Sequence, residues 1–109
     1  MPELPEVETT KNAILPFKGK TLKRIIVSNP SLRWPIDEKA INKIKEKKIL
    51  SITRRAKYIF LHLDEVTIII HLGMTGTFRI QKLGSNETRK HDHVVFEFSN
   101  EVLIFNDPR

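Results

Sequence analysis

Apolar and polar positions alternate along this chain with two different periods. Over residues 3–15, Leu4, Val7, Ile14 and Leu15 fall on one helical stripe. Pro2 and Pro5 sit at or near the first turn, where a missing backbone N–H costs little, and Pro16 and Gly19 close the segment. A second helix is predicted over residues 37–47, capped by Asp37, with Ala40, Ile41 and Ile44 inward and lysines at most other positions. The remaining apolar runs predict strands at 21–28, 49–55, 57–63, 66–72, 77–82, 93–98 and 101–106. Asp64–Glu65 and Ser99–Asn100 each separate two such runs at hairpin distance, whereas the polar stretch 83–90 reads as a loop. Many short strands with two helices predict an α+β fold. Its core is an antiparallel β-sandwich of about eight strands, flanked by an N-terminal helix and a second surface helix.

The 109 residues suit one domain, and no linker, repeat or low-complexity segment divides them. The absence of cysteine excludes a disulfide framework, a thiol nucleophile and any Cys-based zinc site within these residues. Apolar runs such as 66–70 are too short to span a bilayer, and the acidic N-terminus does not read as a secretory signal, so a cytoplasmic protein is expected. Charge changes the picture further. Residues 1–60 carry 14 basic and 6 acidic groups, residues 61–109 carry 5 and 7, within a net charge of +6. Such asymmetry favours a polyanionic partner, although a solvated basic helix gives the same count.

Candidate chemistry concentrates at the start. Removal of Met1 would expose the secondary amine of Pro2. An α-amino group titrates near neutrality and, unprotonated, attacks electrophilic carbon to form an iminium ion. The positive end of the helix dipole disfavours a protonated amine there, whereas Glu3 and Glu6 favour one. Glu3 adjoins the amine and Glu6 follows one helical turn later, which places carboxyls where a departing oxygen needs a proton. Acidic residues in a first turn equally serve as dipole partners, so physics alone leaves both readings open.

The opening MPELPEVETT resembles the N-terminus of bacterial formamidopyrimidine-DNA glycosylases, base-excision enzymes for oxidised purines such as formamidopyrimidine and 8-oxoguanine. LRWP at 32–35, RRAKY at 54–58, HLGMTG at 71–76, KHDHV at 90–94 and NDPR at 106–109 follow in that family's order. Leu4 distinguishes the opening from the related endonuclease VIII branch, which usually has Gly there. The resemblance implies an N-glycosylase that is also an abasic-site lyase. Pro2 would attack the anomeric carbon, expel the base and form a Schiff base that nicks the strand by β- and δ-elimination. It further implies Glu3 as general acid, Glu6 holding water or orienting groups, and Lys57 on a phosphate next to the lesion. His71 is implied as another phosphate contact, with His91 a phosphate neighbour. Met74 and Arg109 would enter the gap left by the everted nucleotide, Arg109 facing the orphaned base.

The residues themselves support these roles unequally. Eversion costs a few kcal/mol of stacking, and Met74, between two glycines in a turn, suits a wedge. Without the resemblance it reads more readily as a core plug. Lys57 with Arg54 and Arg55 forms a cationic cluster that suits phosphates or merely guards a strand edge. His71 alone reads as structural. His91 and His93 flank Asp92 at strand spacing, placing both rings on one face, a poor metal site with His93 as scaffold.

The resemblance also implies a longer protein, in which a helix–two-turn–helix module and usually a zinc finger follow NDPR. Residues 1–109 would then be the N-terminal catalytic domain, with zinc expected only in the missing C-terminal region and no cofactor in this chain. Alone it is expected to bind damaged double-stranded DNA weakly, to show little activity, and to self-associate through an uncovered domain interface. The alternatives are a non-catalytic DNA-binding fragment, a tautomerase-type enzyme using Pro2 as a base, and a structural fragment.

Overall fold

In the computed structural model, residues 3–27, 43–73, 76–85 and 87–108 are described, the side chains of residues 3–5 excepted. The chain begins with α1 (Glu3–Ile14), which tightens into a 3-10 turn at Leu15–Phe17. Eight strands follow: β1 (Thr21–Leu22), β2 (Arg24–Val27), β3 (Lys47–Arg55), β4 (Tyr58–Leu63), β5 (Val66–His71), β6 (Thr77–Lys82), β7 (Asp92–Glu97) and β8 (Glu101–Asn106). They form two four-stranded antiparallel sheets, ordered β1-β3-β4-β5 and β2-β7-β8-β6. The α+β sandwich expected from the apolar pattern is the observed fold.

Several boundaries differ, each for a local reason. The predicted strand 21–28 divides at Lys23, whose N–H donates to the Glu97 carbonyl at 2.7 Å, so β1 joins one sheet and β2 the other. Pro16 does not end the helical path but sits within the 3-10 turn. The change of pitch turns Leu15 outward (38 % exposed) and gives its place in the core to Phe17. The predicted helix 37–47 overruns. Residues 43–44 are its only described helical residues, Lys45 and Glu46 form a turn, and Lys47 already pairs with Leu22. Glu46 takes a left-handed φ of 66°, which ends helical geometry before Lys47. Residues 37–42 lie outside the described set.

Between the sheets, Ile14, Phe17, Leu22, Ile49, Ile59, Leu61, Phe98 and Leu103 are essentially fully buried. Phe17 meets Phe98 at 4.5 Å between ring centroids. β4 follows the period-two rule, with Ile59, Leu61 and Leu63 inward. This core holds α1 against β3 and β4, and thereby sets where its first turns lie.

Candidate functional site

Four segments meet at one end of the sandwich. Glu6, Val7 and Thr10 of α1 line a cleft of about 280 Å³ whose other wall is Leu72, Gly73, Gly76 and Thr77. Glu6 and the turn between β5 and β6 therefore share one cavity. That turn is sharply constrained. Gly73 has φ 62°, and the Gly76 N–H donates to the Leu72 carbonyl at 2.9 Å. A Cβ on Gly76 would stand 2.6 Å from that carbonyl oxygen and 2.9 Å from Phe105 Cε1. Gly76→Ala is accordingly expected to cost about 2 kcal/mol, because the first obstacle is backbone rather than a side chain that can swing away. The shift of the urea midpoint measures it.

Lys57 occupies the two-residue turn between β3 and β4, after Ala56 with φ 52°. Its side chain is half-buried, and its carbonyl accepts the Leu72 N–H at 3.3 Å, tying this turn to the cleft wall. His71, exposed at the end of β5, pairs across the sheet with Tyr58 and stacks on its ring at 4.6 Å. Lys57 and His71 thus sit beside one another. Arg54 does not join them as part of a cationic cluster: its Nε donates to Glu8 Oε1 at 2.7 Å. Lys11, at 2.8 Å, and then Arg54 hold the Glu8 carboxyl below its ordinary pKa range.

The histidine pair is arranged differently from two residues of one strand face. His91 precedes β7 with φ 71°, and a register shift separates Asp92 from Val94. The rings nevertheless come edge to face at 6.2 Å between centroids. His93 is buried and its Nε2 lies 2.6 Å from the Asp107 carbonyl oxygen, a scaffold contact. Asp107 N–H donates to the His91 carbonyl at 3.2 Å, and Asn106 Nδ2 donates to the Lys90 carbonyl at 2.8 Å and to Asp92 Oδ1 at 2.9 Å. Asp92 in turn takes both arms of Arg79, at 2.8 and 2.7 Å. This network fixes the segment leading to residue 109. The Arg79 fork is the main reason that the Asp92 carboxyl lies far below the usual carboxylate range, with Asn106 and the Arg89 N–H adding to it against the opposing effect of burial.

Glu6, Lys57, His71 and His91 are therefore brought to one end of the fold. Pro2, Met74 and Arg109 lie outside the described residues, and Glu3 is described only as the first residue of α1. Thr10, Thr77, Tyr58 and Asn106 belong to the same region without having been singled out from sequence; Thr10, Tyr58 and Asn106 stood inside recognised motifs. Among the described residues no group of three His, Asp or Glu is placed to hold a metal ion, and the sequence has no cysteine, so the donors of a zinc site are not in this set. No helix among them is long and apolar enough to cross a membrane.

The model of the formamidopyrimidine-DNA glycosylase N-terminal domain matches residues 1–109. Proteins named formamidopyrimidine-DNA glycosylase from Marinobacter nauticus and Photobacterium profundum are 48 % and 51 % identical over the whole chain, which covers 41 % and 40 % of their lengths. The Lactococcus lactis FPG protein in complex with a FAPY-dG containing DNA superposes with a TM-score of 0.88 at 31 % identity, over 96 % of this chain and 40 % of that one. The same protein with an abasic site containing DNA gives 0.89 at 30 % identity, over 97 % and 40 %. The chain thus spans about two fifths of the relatives it matches.

Proposed function

Because the chain belongs to the formamidopyrimidine-DNA glycosylase family through its N-terminal domain, we propose that it supplies the catalytic half of a bacterial base-excision enzyme. That enzyme removes oxidised purines from double-stranded DNA and then nicks the abasic strand. The observation that carries this reading is the shared cleft. Glu6, one turn into α1, faces the turn that flanks Met74, and the Lys57 turn is bonded to the same wall. A group at the start of α1 thereby has carboxylate, cation and turn within one region.

The chemistry follows from a secondary amine at that position. The lone pair of the Pro2 nitrogen forms a bond to the anomeric carbon as the glycosidic bond breaks and the base departs with its electron pair. The nitrogen loses its proton, the sugar ring opens to an iminium ion, and Glu3 protonates the released ring oxygen. Loss of an adjacent sugar proton into this electron sink then expels the 3′ phosphate, and a second elimination expels the 5′ phosphate. Glu6 holds water or orients the reacting groups from the cleft wall. Lys57, His71 and His91 meet phosphates around the lesion, while Met74 and Arg109 occupy the space left by the everted nucleotide. On the same reading the enzyme works in the bacterial cytoplasm with the nucleoid, and zinc is held by the C-terminal part of the whole protein.

Borohydride reduction on abasic duplex tests the reading, since only an iminium is converted to a permanent protein–DNA bond. A trapped adduct through Pro2 supports it; DNA binding without any adduct leaves a non-catalytic DNA-binding module in its place. Lys57→Gln is expected to weaken duplex binding whatever the sequence, and to lower the slope of log affinity against log salt by about one. A salt titration reads this directly.

A further inference from the structure

Arg54 joins the helix of the site to the first of its turns. It leaves β3 one residue before that strand ends and divides its donors between two elements. Nε donates to Glu8 Oε1 on α1 at 2.7 Å, and Nη1 donates to the Ala56 carbonyl at 3.1 Å. Lys11 holds Glu8 from the other side at 2.8 Å. Ala56 takes a left-handed φ of 52°, which a residue with a Cβ keeps only where its surroundings impose it. The next residue is Lys57, whose carbonyl receives the Leu72 N–H. One side chain thus links the segment carrying Glu6 with the turn carrying Lys57.

We propose that Arg54 is a positioning residue: it sets the spacing between the start of α1 and Lys57 rather than meeting a phosphate itself. The role rests on the function proposed for Pro2, Glu3 and Lys57. A planar guanidinium bonded to two acceptors on separate elements fixes direction as well as distance, which a flexible ammonium does not. The Arg54 and Glu8 side chains are 26 % and 40 % exposed, so the pair adds little to stability and its service is geometric. Nucleophilic attack is sensitive to such geometry, since a displacement of about 1 Å costs about 100-fold in rate.

The test is single-turnover borohydride trapping on abasic duplex in the full-length enzyme, with Arg54→Gln, Glu8→Gln, the double variant and Arg54→Lys. Each single Gln variant is expected to slow trapping about 10- to 100-fold while duplex affinity stays within about threefold and its salt slope is unchanged. The double variant is expected to be no slower than the slower single one, because both break one bridge. Arg54→Lys keeps the charge but cannot span both acceptors, and stays close to Arg54→Gln. The Leu72 amide, bonded to the Lys57 carbonyl, exchanges faster with solvent in Arg54→Gln, whereas the amide of buried Ile59 does not. An unchanged trapping rate overturns the proposal. So does a loss of affinity in step with the rate and a salt slope shallower by about one, which marks a direct phosphate contact. Should the unaltered enzyme trap no DNA, the glycosylase–lyase reading fails, and Leu72 exchange alone decides whether Arg54 holds the turn.

Discussion

With Met1 retained, or with any residue coupled to the Pro2 nitrogen, the enzyme is expected to lose its borohydride-trapped adduct and its strand nicking by at least about 10³-fold. An amide nitrogen has no available lone pair, so no iminium forms whatever the rest of the site does. Binding should survive. The phosphate contacts proposed for Lys57, His71 and His91 sit on sheet turns and strand ends, held by Leu72, Tyr58 and Asp107 rather than by the N-terminus. Intact mass spectrometry establishes the state of Met1, and gel shifts on the same samples separate binding from chemistry. Equal nicking by processed and blocked protein would remove Pro2 as nucleophile.

The second large effect concerns Asp92. Asp92→Ala is expected to destabilise the protein by about 3 kcal/mol, measured by urea unfolding. The substitution leaves Arg79, whose side chain is 16 % exposed, without its bidentate partner, and takes an acceptor from Asn106 and from the Arg89 N–H. The same carboxylate sets an acid sensitivity. Its folded pKa is depressed well below the value near 3.9 of an unfolded Asp, so its stabilisation is complete above about pH 4. Below that pH the unfolded chain binds a proton that the folded one resists, and the stabilisation is progressively lost. Asp92→Asn should flatten this part of the stability profile between about pH 4 and pH 2. Because the network also grips Asn106 and the Asp107 backbone, loosening it should disorder the approach to Arg109 before it unfolds the sheets.

What the sequence disclosed depended on how local each feature is. The turns at Asp64–Glu65 and Ser99–Asn100 were legible because a hairpin is specified by its own residues, and both join antiparallel neighbours. In VTIIIH of β5 the apolar run hides which side faces inward; only the sheet shows Ile70 buried and Ile69 59 % exposed. The division at Lys23 was illegible for the opposite reason, since nothing in TLKRIIV marks the residue at which hydrogen bonding passes to Glu97 in another sheet. Motif resemblance, not periodicity, singled out Lys57, His71 and His91. The contacts that fix their surroundings were beyond reach: Glu8 with Arg54 and Arg79 with Asp92 join separate elements, whereas the sequence showed Arg54 only within a cationic cluster and Asp92 only between two histidines.

The passage of β1–β2 from one layer to the other carries a mechanical implication. A ribbon stitched into both sheets at Lys23 prevents them from sliding past each other, because shear must first tear the Lys23 bond to Glu97 or the pairing of Leu22 with Lys47. The α1 end, bound to the first sheet, and the Asn106 end, bound to the second, are consequently parts of a single rigid jaw. Any adjustment that the proposed binding to DNA requires falls to the turns at its rim.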